Sequence, residues 1–364
     1  MIVGVFSPVI NWCGGAEWVA VGIINALKEH GHQVVILSDI PLNQERFKSI
    51  FNRTVSVDKQ IIFPLKFFPS TDLKNIYTDA IRLLMLKSKC QVVIDTFSNA
   101  FLPGANVSYI HHPLLRRLEI GAPYLRNKLF FVPYQYYLKF STDTLKHKLV
   151  LANSKFTAEA IRAEAGIEAQ VLYPPVMSEI TSHQRDFDGK RENNVITVGR
   201  ICLGKNLTII PKIAKLTRKD ISFTIAGLLE SREVLLSLFR LTKELDVADR
   251  VKILTNVKRD QLKNVFLNSK VYLHPKIDEH FGISIVEAMA LGCTPVVHNS
   301  GGPREFVSRD FRYNSIEEAA KQVEKAINDW SPAQARKTSE YTERFDENMF
   351  SKQFINIFNS FFLK

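Results

Sequence analysis

Cysteine is sparse in this sequence: four in 364 residues, Cys13, Cys90, Cys202 and Cys293. None lies in a C-x-x-C pair or at a spacing that suits a metal. They are therefore expected as small buried side chains in a reducing cytoplasm. Long apolar runs are missing too. None reaches the roughly 18 residues that a membrane-spanning helix needs. The first ten residues, MIVGVFSPVI, lack the basic start and small-residue cleavage site of a signal peptide, so none is expected. There is no low-complexity tract and no nucleic-acid signature such as an RNP motif or a finger. Acidic residues are in deficit, 37 against 48 lysines and arginines, for a formal net charge of +11.

What is present is the composition of a soluble globular enzyme, 46% hydrophobic and 23% charged. The length allows two domains or one large one. The positive excess favours an anionic partner, whether nucleic acid, an acidic membrane surface or a phosphorylated substrate. Part of it interleaves with aromatics, in IIFPLKFFPSTDLKNIYTDAIRLLMLKSK (61–89) and YLRNKLFFVPYQYYLKF (124–140). Such stretches suit a headgroup layer, where amphipathic side chains straddle wet and apolar zones. The plainer reading is core helices with solvated basic faces.

The chain alternates strands and helices. Residues 1–7 form an apolar run of the buried parallel-strand kind. A glycine pair, Gly14 and Gly15, opens the helical pattern AEWVAVGIINALKEHG, which Gly31 closes. HQVVILSD, QVVIDTF, VSYIHH and KLVLANS are further strands. Near 173–195 two prolines and the polar run TSHQRDFDGKRENN mark an interdomain boundary. A second series follows: NVITVGR, ISFTIAG, VKILTNV, KVYLHPK and TPVVHN, with a helix after Gly204. The expectation is an α/β chain of two Rossmann-like domains facing one another across a cleft. The last segment, from Arg344, shows an apolar helical face of Phe345, Met349, Phe354, Ile357 and Phe361.

Residues 279–287, EHFGISIVE, are the most specific stretch. Gly282 lets backbone amides approach a ligand, and the N-terminus of the helix that follows favours a phosphate. One of the two carboxylates, Glu279 or Glu287, then accepts hydrogen bonds from ligand hydroxyls, as sugars and polyols require. Against this, Ser284-Ile-Val-Glu287 also matches a capping box, and Glu279 could be a solvated loop charge. In VGRICLGKN (198–206), Arg200 and Lys205 lie just beyond a strand end, where α/β domains bind ligands. A guanidinium with an ammonium suits a diphosphate, though both could be plain surface cations. The loop NWCGGAEW lacks the full G-x-G-x-x-G and the P-loop lysine. In YIHHPLLRR (109–117), His111 and His112 sit at a strand end without a third ligand at a helpful spacing. The pair Asp186-Phe-Asp188 matches a metal-holding D-x-D but follows no strand, so it reads as coincidence.

Three segments in order, GGAEWVA, VGRICLGKN and EHFGISIVEAMALGCTPVVHNSGGPREFV, resemble those of the family 4 retaining glycosyltransferases of GT-B fold. The last carries that family's E-x7-E motif at Glu279 and Glu287. YIHHP, ANSKFTAEAI and VLYPPV bring the likeness to the GDP-mannose-dependent α-1,2-mannosyltransferases of dolichol-linked oligosaccharide. This sequence is shorter than theirs, and no N-terminal membrane helix like theirs is expected in it. The resemblance implies a donor domain at 176–342. It implies an acceptor-side domain at 1–175, joined by a terminal helix, 343–364, that crosses back to it. It implies that Arg200 and Lys205 hold the donor diphosphate and that Glu287 binds the ribose. Glu279 would touch the donor sugar, with the amides of Phe281, Gly282 and Ile283 close to sugar and phosphate. Gly14 and Gly15 would line the cleft, and His111, rather than His112, would sit near the transferred sugar.

The implied reaction is hexose transfer, mannose from GDP-mannose, to a glycan hydroxyl on a lipid carrier, with retention by front-face displacement. Cations stabilise the leaving diphosphate, so no cofactor or metal is required. The expected partners are a sugar nucleotide, a lipid-linked glycan and an anionic membrane surface, with no nucleic acid. The expected location is the cytoplasm or the cytoplasmic face of a membrane. Alternatives are a UDP-sugar-dependent transferase on another acceptor, a sugar-nucleotide epimerase, and a catalytically silent basic protein that binds membrane.

Overall fold

Short β-branched runs alternate with amphipathic helices, and they build two wholly parallel sheets. The computed structural model describes residues 1–66, 75–116, 130–176, 187–257 and 259–363. The chain divides into two compact units, Met1–Pro175 with Glu347–Lys364, and Val176–Asp346.

In the first unit, β1 (Ile2–Phe6), β2 (Gln33–Ser38), β3 (Lys59–Ile62), β4 (Val92–Asp95), β5 (Val107–Ile110), β6 (Leu149–Ala152) and β7 (Gln170–Val171) lie in the order 3-2-1-4-5-6-7. Each neighbouring pair is parallel. The central strands are apolar on both faces because helices cover both, as a parallel sheet requires. Helix α1 (Gly15–Glu29) follows β1 and stops before Gly31, whose φ of 76° is left-handed. α2 (Ile76–Lys87) buries Leu83 and Leu86 in the core. α3 (Val132–Phe140) buries Tyr134 and Leu138. It leaves Tyr136 and Phe140 exposed, their rings stacked with centroids 6.1 Å apart, and Lys139 lies over Phe140. Of the basic-aromatic stretches, residues 67–74 and 124–129 lie outside the described residues, as do Arg117 and Asp186.

In the second unit, β8 (Glu192–Val198), β9 (Ser222–Gly227), β10 (Val251–Thr255), β11 (Ser269–His274), β12 (Thr294–His298) and β13 (Arg312–Tyr313) lie in the order 10-9-8-11-12-13, again all parallel. Val195, Phe223, Ile225, Val271, Leu273 and Val296 fill its core with α4 (Ile209–Leu216). In both sheets the first strand has its successor on one side and a later strand on the other. The order therefore reverses between β1 and β4 and between β8 and β11. That reversal opens a crevice at the strands' carboxyl ends. The 3-10 turn Leu203–Lys205 follows β8 there, and the Glu279 loop follows β11, with α5 (Ile283–Ala290) next.

The terminal helix, α6 (Glu347–Phe362), packs on α1 within the first unit. Its buried face is Phe350, Phe354, Ile355 and Phe358, which corrects the face expected from sequence. Met349 and Phe361 are exposed, and Phe345 lies before the helix, packed on Phe281 and Phe306 of the second unit. With eight phenylalanines and isoleucines between Phe345 and Phe362, several stripes of similar apolarity are available. Of the three buried rings at i, i+4, i+8, Phe350 meets α1 where Gly22 has no side chain. A Cβ there would stand 3.1 Å from the Phe350 ring. Three cysteines are buried, and Cys202 is half-buried. Among the described residues no helix is long and apolar enough to cross a membrane.

Candidate functional site

The strand β11 alternates, and the alternation decides what its ends present. Val271 and Leu273 point into the core. Tyr272 and His274 point to the other face, where α5 lies. The chain then turns through Pro275, and Lys276 and Glu279 come together three residues apart. Asp278 takes a left-handed φ of 51° in this turn. Gly301 and Gly302, beyond β12, brace the turn from outside. A Cβ on Gly301 would stand 2.2 Å from the Glu279 carbonyl oxygen, and one on Gly302 would stand 2.1 Å from that of His280. The Gly302 N–H donates to the Glu279 carbonyl at 2.8 Å. Only residues without side chains fit there.

Glu279 is 8% exposed and fully engaged. Its Oε2 accepts from Lys205 Nζ and from His274 Nε2, both at 3.0 Å. Its Oε1 accepts from Lys276 Nζ at 3.2 Å and from the His280 N–H at 3.1 Å. Burial pushes the carboxyl pKa up, but the His274 hydrogen bond and the charges of Lys205 and Lys276 overcome it and hold it well below the usual carboxylate range. Burial lowers the His274 pKa against the pull of Glu279, so its imidazole is the neutral donor. An ionised carboxylate with two ammonium groups and a neutral histidine leaves this spot net positive. It can take an anion, and a hydroxyl that reaches Glu279 replaces one of its four present donors.

Lys205 and Glu279 are thus brought together across 74 residues of sequence. Arg200, also named from sequence, pairs at 2.8 Å with Glu230 on the exposed rim of the same unit. The path from β8 to Arg200 runs against Gly227. A Cβ on Gly227 would fall 1.7 Å from the Gly199 oxygen. Phe281 is buried among Phe306 and Phe345. Gly282 is left-handed at φ 93° and serves as the N-cap of α5. Ile283 is then the first helical residue, and helix geometry leaves the N–H groups of a first turn without intrahelical acceptors. Ser284 is therefore inside α5 rather than before it, and the capping-box reading of Glu287 falls. The Ser284 hydroxyl instead meets the Tyr272 hydroxyl at 2.8 Å. Glu287 is half-buried one turn along, and its charge is felt at Tyr272.

The candidates of the first unit occupy their own strand ends. Gly14, exposed, caps α1, and its N–H donates to Glu17 Oε2 at 2.8 Å. Gly15 begins the helix. His111 follows β5, half-buried, with its N–H on Asn99 Oδ1 at 2.8 Å and its Nε2 3.2 Å from the Thr96 carbonyl. His112 is buried, stacked on Phe156. Asp188 pairs with Arg336 on the surface. Sequence reasoning missed the roles of His274, Lys276, Tyr272, Gly301, Gly302 and Glu17. Signals existed for some: Lys276 and Glu279 stand at i,i+3, and Glu17 stands three residues after its cap, the capping-box spacing.

Two sequence models divide the chain between them. "Glycosyltransferase Family 4" matches residues 13–179, and "Glycosyl transferases group 1" matches 179–348. The chain belongs to glycosyltransferase family 4. As a family 4 glycosyltransferase it has named relatives. It is 29% identical over 233 residues to a Dictyostelium discoideum protein called GDP-Man:Man(3)GlcNAc(2)-PP-Dol alpha-1,2-mannosyltransferase, covering 57% of this chain and 46% of that one. Against the Homo sapiens protein of the same name it is 25% identical over 366 residues, covering 84% and 73%. The chain therefore spans less than half of the first relative and about three-quarters of the second. In three dimensions it matches the crystal structure of Anabaena HepE in complex with UDP and glucose, with a TM-score of 0.72 at 16% identity, over 99% of this chain and 100% of that one. The two parallel-sheet units are those of the GT-B glycosyltransferase fold.

Proposed function

We propose that this chain moves a hexose, mannose from GDP-mannose, to a glycan hydroxyl on a lipid-linked acceptor, with retention at the anomeric carbon. The observation that carries the reading is the buried, ionised Glu279, held by Lys205, Lys276 and His274 at the switch point of a doubly wound sheet. Mannose, GDP and the lipid carrier rest on the names of the two mannosyltransferase relatives.

In this reading Lys205 and Arg200 take the donor diphosphate and stabilise the charge that grows on it as the glycosidic bond breaks. Glu279 accepts from the sugar hydroxyls and fixes the ring. Glu287 accepts from the ribose. The amides of Phe281, Gly282 and Ile283 approach sugar and phosphate at the head of α5. Gly14, Gly15 and His111 serve the side of the acceptor and the transferred sugar. The leaving phosphate helps to deprotonate the acceptor hydroxyl on the same face, so configuration is retained. No metal or other cofactor is called for. The chain works in the cytoplasm or against the cytoplasmic face of a membrane.

A thermal-shift panel of GDP-mannose, GDP, UDP-glucose, UDP-GlcNAc and UDP, without added metal, tests the donor. A ligand that binds only the folded state raises Tm by mass action. A GDP-selective rise is expected. A UDP-selective rise keeps the site but overturns mannose, and no rise with any ligand overturns the donor site. Glu279→Ala and Lys205→Ala should each lose transfer while remaining folded. Near-normal turnover in both removes them from the site.

A further inference from the structure

Tyr272 and His274 touch neither sugar nor phosphate in the reaction above, yet they lie directly behind Glu279. We propose that His274, keyed by Tyr272, is a positioning residue that holds the Glu279 carboxylate in place when Lys205 turns toward a donor diphosphate. The inference deepens the sugar-nucleotide reading of this site and rests on it.

Glu279 Oε2 has two holders, Lys205 and His274, each at 3.0 Å. Lys205 is also the cation placed to meet phosphate. Drawn toward two phosphate charges on a flexible four-carbon stem, it gives up part of its hold on Oε2. His274 cannot follow. Its side chain is 3% exposed, and it is rooted in the last residue of β11. The imidazole is bonded at one edge and has a polar neighbour at the other. Nε2 faces the carboxylate, which selects the Nε2–H tautomer. Nδ1 is then an acceptor and stands 3.4 Å from the Tyr272 hydroxyl. The two rings lie near parallel with centroids 6.1 Å apart. Tyr272 is itself buried, and its hydroxyl reaches the Val198 carbonyl at 3.1 Å and Ser284 at 2.8 Å. One phenol thus stands between the end of β8, the histidine and the first turn of α5, the helix that carries Glu287. It can accept from Ser284, and its single proton goes either to the Val198 carbonyl or to His274 Nδ1. A neutral donor suits this task. It orients the carboxylate without adding a third cation beside Lys205 and Lys276.

The test compares His274→Ala, His274→Gln and Tyr272→Phe in the full chain, with GDP-mannose against GDP and UDP-glucose against UDP as probes. The carboxylate reads the sugar, so His274→Ala should weaken binding of the sugar nucleotide and lower kcat/KM at least tenfold. Affinity for the bare diphosphate should stay within about threefold. His274→Gln, which can still present an N–H, should recover part of the loss. Equal weakening for both ligands, or no weakening, overturns the role. If the alanine variant does not fold, the glutamine and phenylalanine variants carry the same comparison. Nitrogen NMR of the wild-type side chain gives a second readout that needs no ligand. A neutral Nε2–H imidazole is expected at pH 7, and an Nδ1–H tautomer or an imidazolium overturns the inference. Wild-type protein that binds no probe at all overturns the sugar-nucleotide reading instead, and the role falls with it, while the NMR result still reports the His274–Glu279 bond.

Discussion

At Glu279 one side chain collects four donors, and its stability and its chemistry have the same cause. Removing the charge leaves Lys205, Lys276 and His274 facing an amide. Glu279→Gln should cost about 2 kcal/mol at pH 7, below the usual figure for breaking a buried pair because both lysines keep some solvent. The pH dependence follows from the direction of the shift. The folded pKa lies well below the roughly 4.3 of an unfolded glutamate, so the unfolded chain takes up the proton first. The contribution of Glu279 is complete above that unfolded value and is lost as pH falls through the folded one. Denaturant midpoints of wild type and variant, measured from pH 7 downward, should therefore converge only in strong acid. A gap that closes between pH 7 and 5 contradicts the assignment. Glu279 and Lys205 were each legible in sequence as candidates, Glu279 beside Glu287 in EHFGISIVE and Lys205 beside Arg200 in VGRICLGKN. Their contact was not, since 74 residues separate them and only the β8–β11 pairing makes them neighbours.

The strand order 3-2-1-4 and its counterpart 10-9-8-11 put the loops after β8 and β11 side by side at the carboxyl edge. Glycines then decide how close those loops come. Gly302→Ala places a methyl 2.1 Å from the His280 oxygen, and backbone has to move. We expect a loss of about 1–3 kcal/mol and at least a tenfold loss of donor binding, because the displaced segment carries Glu279. Gly189→Ala is the control, since nothing lies within 4 Å of its Cβ position. Calorimetric binding beside thermal melts checks both, and unchanged donor binding in Gly302→Ala argues against the brace. Strand existence was readable from apolar runs. Helix α5 shows where such reading stops. Ser284 with Glu287 has the letters of a capping box, but the left-handed Gly282 starts the helix two residues earlier than Ser284 and turns the serine inward to Tyr272. The face of α6 was misjudged for a related reason. Its apolar residues are spread over more than one stripe, and packing on α1, with Phe350 against Gly22, buries the Phe350–Phe354–Phe358 one.

Across the whole molecule the charge of +11 asks for an anionic counterpart, and α3 shows one form it can take. Phe140 is 76% exposed and stacked on Tyr136, with Lys139 over it. An aromatic ledge beside a cation suits the headgroup region better than bulk water. Pelleting with anionic vesicles should be strong at low salt and fall as salt rises. Phe140→Ser should weaken it at every salt concentration, whereas Lys139→Gln should chiefly flatten the salt dependence. Absence of binding to anionic vesicles at low salt removes the membrane from the account.

Sequence by itself determined the class of fold and the order of its parts. Strand runs, helix periodicity and the glycines that end them are local properties, set by backbone sterics and apolar patterning within a few residues. It also determined the kind of chemistry available, since E-x7-E, the Arg200–Lys205 pair and the GGAEW loop stand in the linear order of their family. Only the tertiary structure decided who holds whom. His274 and Lys276 became holders of Glu279, Tyr272 became the key to His274, and Gly301 with Gly302 became the brace. His274, Lys276 and Tyr272 are near Glu279 in sequence, and the turn after β11 sets their contacts, whereas Lys205 arrives from 74 positions away and Gly301 with Gly302 from beyond β12. Contacts across such separations are fixed by sheet pairing and close packing, and local propensity carries no record of them.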